Sequence, residues 1–185
     1  MSKPRDATGK PQGDARRLEA IKALRKKTSA SLNDVRTALE SSGGDEAKAL
    51  ELLRQRGAAI AEQRQGRATG QGRIESYVHH NGRIGSLVEV NCETDFVART
   101  PEFLQFCRDL AMQVAAMSPR YLRREDVPAA ERLSPEALQE ACLLEQPFVK
   151  DQGSTVKALL NTLIAKTGEQ VVIRRFVKFG VGDST

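Results

Sequence analysis

Residues 73–92 read RIESYVHHNGRIGSLVEVNC, and within them the periodicity of the chain changes from helical to alternating. Ile74, Val78, Ile84, Val88 and Val90 are all even-numbered and apolar, and they flank the turn signal His80-Asn81-Gly82. Apolar residues at every second position share one face of a strand, so the stretch predicts a β-hairpin. A two-residue Asn81-Gly82 loop would pair residues whose numbers sum to 163 and turn Ile74 and Val78 away from Ile84 and Val88. A three-residue loop, His80–Gly82, instead pairs Val78 with Ile84 and Ile74 with Val88, which restores a single apolar face. The three-residue loop is the expected one, with Gly82 in the left-handed turn position.

Downstream of the hairpin, NCETDFVART (91–100) links the second strand to an amphipathic helix. That helix carries Phe103, Cys107, Leu110 and Val114 as its stripe, with Thr100 as N-cap and Pro101 at its first position. Further helices are expected at about 134–145 and about 153–166, the last stopped by Gly168. The β-rich EQVVIRRFVKFG (169–180) can then join the hairpin as a third antiparallel strand. Upstream, three short helical patterns carry Leu18, Ile21 and Leu24, then Leu32, Val35 and Leu39, then Leu50 and Leu53 behind an Asp45 cap. The expected architecture is α+β: a three-helix module followed by a small three-stranded antiparallel sheet packed with helices. The expected segments are a disordered tail at 1–15, the module at 16–57, a helical then Gly-rich linker at 58–72, the core at 73–180 and a short tail at 181–185.

The charge is divided between these units. The first 73 residues hold 16 Lys and Arg against 9 Asp and Glu, and the rest of the chain holds 13 against 15. A basic module of that kind points to an acidic or polyanionic partner. No run approaches the roughly 18–20 apolar residues of a membrane span. The three cysteines are widely spaced with no CxxC, which suits a reducing compartment and neither a zinc site nor a disulfide framework. With two adjacent histidines, His79 and His80, no metal site is expected.

A catalytic reading would use Cys92 with His79 or His80, or Glu93 and Asp95 as paired carboxylates. Cys92 falls on the apolar face, the histidines flank a turn, and acids at a strand end commonly cap the next helix, so no covalent chemistry is expected. Phe96 is different. It lies in a turn between a strand with a complete apolar face and a helix with a complete stripe and its own start signal. It reads as a side chain projecting between two elements.

Three stretches carry a resemblance to a known family: LRKKTSASLNDVRTALESSGGD (24–45), NGRIGSLVEVNCETDFVARTPEF (81–103) and GEQVVIRRFV (168–177). In order and spacing the chain resembles the bacterial elongation factor Ts family, in its short form, from about Leu18 to Lys178. The resemblance implies a ubiquitin-associated-like N-terminal module and a core whose loop inserts an Asp-Phe pair into the GTPase elongation factor Tu, near its Mg²⁺ and nucleotide phosphates. It carries that role onto Asp95 and Phe96 with their neighbours Thr94 and Val97, and a docking role onto Arg25, Leu32 and Asn33. The implied activity is guanine-nucleotide exchange during translation elongation in the cytoplasm, with no cofactor, no direct nucleotide ligand and no membrane. The family's Gly-containing turn and Met pair are replaced here by Ser29, Ser31, Leu32 and Asn33. The short form also leaves an open sheet edge, which makes a homodimer plausible. The rival, from another class, is a nucleic-acid-binding protein using the basic module and the linker QGRATGQGR (65–73), though that linker has no aromatic for base stacking.

Overall fold

Three helices come first: α1 (Gln12–Thr28), α2 (Leu32–Ser41) and α3 (Glu46–Arg64). They form where the sequence supplies their end signals. The Ser31 hydroxyl accepts from the Asp34 N–H at 3.1 Å to cap α2, and the Asp45 carboxylate accepts from the Ala47 and Lys48 N–H groups to cap α3. Ile21, Leu24, Val35, Leu39, Ala49 and Leu53 close a small core of their own. The structure, a computed structural model, describes residues 12–28 and 30–183. Of the expected tails, residues 1–11 and 184–185 therefore lie outside the described residues, as does Ser29, while residues 12–15 belong to α1.

The third helix runs past the expected module boundary at 57, consistent with a linker that begins helical. It continues through Gly57 to Arg64, placing Leu53 in the module core and Ala61 in the main one. The Gly-rich connection is thereby reduced to residues 65–70 before β1 (Gln71–Val78).

β1 pairs with β2 (Ile84–Cys92), and β2 with β5 (Val171–Gly180), both antiparallel, giving a three-stranded sheet in the order β1-β2-β5. The third strand joins where the sequence predicts it. The hairpin register does not. Ile74 lies opposite Glu89 and Val78 opposite Gly85, so the expected pairs Val78–Ile84 and Ile74–Val88 are absent. The loop is four residues, His80–Arg83, closed by His79 N–H donating to Ile84 O at 2.8 Å. Gly82 does take the left-handed conformation, with φ 67°. Both faces of this sheet carry apolar residues, so alternation alone does not fix the register.

One face is the core. Val88, Val90 and Cys92 of β2 and Val171 and Ile173 of β5 pack against α5 (Pro101–Met117) and α7 (Val156–Thr167), with Phe103, Leu110, Leu163 and Ile164 among the buried residues. Between these helices, α6 (Pro135–Ala141) ends earlier than the expected helix at 134–145. Cys142 leaves it to form a parallel bridge with Tyr121, and Leu143 N–H donates to Tyr121 O, which draws Leu143 into the core. A two-stranded hairpin, β3 (Pro147–Phe148) with β4 (Asp151–Thr155), takes the residues expected to open the last helix. The opposite sheet face is exposed, although it holds Ile74, Val78, Leu87, Val177 and Phe179.

Candidate functional site

Between β2 and α5 the chain makes a single helical turn, α4 (Asp95–Ala98). Thr94 caps it: its backbone is extended, and its hydroxyl accepts from the Val97 N–H at 3.3 Å. Thr100, capping α5 through the Phe103 N–H, donates its hydroxyl proton to Val97 O at 2.9 Å. With both ends fixed, one side of so short a turn faces inward. Val97 takes that side and is 6% exposed, inside the main core, whereas Phe96 is 80% exposed. Burying a Phe is worth roughly 1.5–3 kcal/mol, and most of that is unrealised here. The Asp95 carboxylate pairs with the Arg99 guanidinium at 2.9 Å on the open surface. An exposed pair of this kind is worth little, so another cation can replace the arginine.

The four residues expected at this site thus have different surroundings. Asp95 and Phe96 project, while Thr94 and Val97 fasten the turn to the protein. Beneath it, the Glu169 carboxylate accepts from the Thr94 N–H at 3.0 Å and from the Thr94 hydroxyl at 2.6 Å. The Gln170 N–H donates to Glu93 at 2.6 Å, and this bond first, then Arg67, holds the Glu93 carboxyl below the usual glutamate range. Nothing in the sequence spacing links Glu169 or Arg67 to the turn, and neither was expected there.

The elements of a catalytic pair are not brought together. Cys92 lies opposite Gln71 while His79 bonds to Ile84, so the sheet separates them by a strand's length, about 26 Å at 3.3 Å per residue. Burial, with Glu169 next in effect, pushes the Cys92 thiol up to about 11, and its Sγ–H donates to Thr94 O. His79 is engaged instead with the Tyr77 hydroxyl, 3.1 Å from Nδ1. Among the described residues no group of three His, Cys, Asp or Glu side chains is arranged to hold a metal, and no helix is long and apolar enough to cross a membrane.

A second cluster lies on the module. Arg25 in the last turn of α1 and Leu32 and Asn33 in the first turn of α2 are all exposed, Leu32 by 50%. An open cleft of about 510 Å³ runs between this end of the module and α7, lined by Arg25, Ser31, Arg54, Lys157 and Lys166. Arg54 crosses it to donate to Gly153 O at 2.8 Å, tying α3 to β4. Several of the module's other cations are paired within it: Arg17 with Glu40, Arg56 with Asp34 and Lys48 with Asp45.

Comparison with known proteins places the chain as a whole. The family model described as Elongation factor TS matches residues 16–134. The chain is 49% identical to elongation factor Ts of Rubrobacter xylanophilus, with 89% of this chain and 98% of that protein covered. It is 48% identical to elongation factor Ts of Thermotoga neapolitana, covering 90% and 97%, and 47% identical to that of Carboxydothermus hydrogenoformans, covering 89% and 88%.

Proposed function

The chain belongs to the elongation factor Ts family of translation factors, and from that premise we propose that it is a guanine-nucleotide exchange factor for elongation factor Tu, acting in the cytoplasm. The observation that carries the reading is Phe96: an aromatic side chain 80% exposed on a turn that Thr94 and Val97 fasten to the protein. In this reading Phe96 enters an apolar site on the GTPase and Asp95, released from Arg99, approaches the Mg²⁺ and phosphates. A carboxylate near that metal disturbs the contacts by which GDP is held. Arg25, Leu32 and Asn33 dock the module on the same GTPase.

No covalent chemistry and no cofactor are required. The factor binds best to a GTPase conformation in which the nucleotide contacts are poor, and each 1.4 kcal/mol of such preference is about a tenfold effect. Reciprocity follows: GDP weakens binding of the factor by the ratio in which the factor weakens GDP. The test is release of fluorescent GDP from elongation factor Tu, which this chain should accelerate at substoichiometric concentration. Unchanged release, together with strongly salt-dependent RNA or DNA binding, would favour the nucleic-acid reading. Against that rival stands the linker, which has no aromatic residue on which a base could stack.

The outer sheet face supports a homodimer. Val78 and Phe179 lie on either side of Gly85, and Leu87 lies beside Val177, forming a contiguous apolar surface. Val78 and Phe179 are 67% and 64% exposed. Such surfaces are uncommon on monomers, and two copies face to face would bury this one as in a β-sandwich. The expected contact is therefore the sheet's face rather than its edge. Sedimentation velocity should give a dimer that Phe179→Glu converts to a folded monomer; a wild-type monomer at all concentrations would exclude it.

A further inference from the structure

The Phe96 turn is braced from a part of the chain that the exchange reading leaves unused. Gly168, with φ 71°, ends α7 in the left-handed conformation and turns the chain back into β5. That reversal brings the Glu169 carboxylate to the end of β2, where its two oxygens accept from the Thr94 N–H and the Thr94 hydroxyl. The contact is returned by the adjacent residues, Gln170 N–H donating to the Glu93 carboxylate. Arg67, from the connection after α3, reaches the second Glu93 oxygen at 3.5 Å. Two acids on different segments thus cross-brace one junction.

The Thr94 hydroxyl has a single proton and two acceptor lone pairs. Donating that proton to Glu169 leaves its lone pairs for the Val97 N–H, which is the bond that starts α4. A four-residue helix has no stability of its own. Its geometry rests on this cap, on Val97 in the core and on Thr100 at the far end. Hydrogen bonds to a charged acceptor are the strong ones, so Glu169 supplies the firmest of these attachments.

The geometry points to Glu169 as a positioning residue for nucleotide exchange, acting through Thr94 to hold Phe96 in its projecting orientation before the GTPase is met. The inference rests on the exchange reading and deepens it. Preorganising the wedge avoids ordering it at the moment of binding. Removing Glu169 should therefore slow exchange without removing any docking contact of the module.

Two measurements test it. The chain contains no Trp, so Phe96→Trp introduces a single indole at the tip of the turn. Glu169→Ala should increase the fast local component of its time-resolved fluorescence anisotropy in the free protein; unchanged anisotropy overturns the proposal. In GDP release from elongation factor Tu, Glu169→Ala should lower the maximal rate about tenfold, a typical size for coupling of this kind. The concentration giving half the maximal rate should change much less. Glu169→Gln, which keeps one acceptor oxygen, should fall between, and its rate decides the matter if the alanine variant does not fold. In a Phe96→Ala background Glu169→Ala should slow release no further. If Phe96→Ala slows release but Glu169→Ala does not, or the two effects multiply, the positioning role is wrong while the wedge stands. If Phe96→Ala itself leaves release unchanged, the wedge reading falls and the positioning role with it.

Discussion

Phe96 and Phe103 sit on consecutive helices in opposite surroundings, one projecting and the other fully buried between α5 and the sheet. Phe103→Ala should destabilise the protein by about 3–5 kcal/mol, read from chemical denaturation, with no direct effect on a partner. Phe96 was legible as a projecting residue because the strand before it and the helix after it already had complete apolar faces. Glu169 was not, because a glutamate after a helix-ending glycine looks like any exposed polar residue, and Thr94 lies 75 positions away. Glu93 offers a check on the same junction. Its folded value lies below the usual 4.5, so it stabilises the protein above that pH and loses the contribution as pH falls through the lowered value. The Tm of the wild type should exceed that of Glu93→Gln at neutral pH, and the gap should close below pH 4.5. The cysteines carry the opposite sign. Burial pushes Cys107 up to about 12 and Cys92 up to about 11, so both remain protonated, and only the thiolate is nucleophilic. Native protein at neutral pH should react with a thiol reagent far more slowly than unfolded protein.

Element by element, helices with capping signals were read from the sequence and the sheet register was not. Thr100 and Pro101 announced α5, and Asp45 announced α3, because a cap is a local interaction among neighbouring residues. The hairpin parity depended on which apolar set faces the core, and here Ile74 and Val78 belong to the outer face with Leu87. The hairpin of β3 and β4 went unseen because DQGST is largely exposed and has no alternating pattern. The length of α3 also has a consequence for substitution. Gly57 lies in mid-helix against α7, where an added Cβ would meet Asn161 O at 3.9 Å, an ordinary contact. Gly57→Ala should therefore raise stability by about 0.5–1 kcal/mol, since glycine is unfavourable inside a helix. Gly57→Leu should instead lower the Tm by forcing α3 from α7. A lower Tm for the alanine variant would mean that the two helices are packed more tightly than this.

Across the whole molecule, two cores share one helix, and the parts that project lie on different units: Leu32 on the module, Phe96 on the sheet-and-helix core. The division of charge and the change of periodicity pointed to a helical module and an α+β core, but not to a helix shared between their two cores. The packing of α3 on α7, and the bond from Arg54 to Gly153 O on β4, depend on contacts between distant segments and were not readable. The most direct test compares Phe96→Ala with the wild type for fluorescent GDP release from elongation factor Tu, with Tm measured on the same preparations. The account predicts a Tm within a few degrees of the wild type, since a shift of that size corresponds to about 1 kcal/mol, and a GDP release rate reduced at least tenfold. A wild-type release rate, or a loss of stability as large as that of Phe103→Ala, would contradict it.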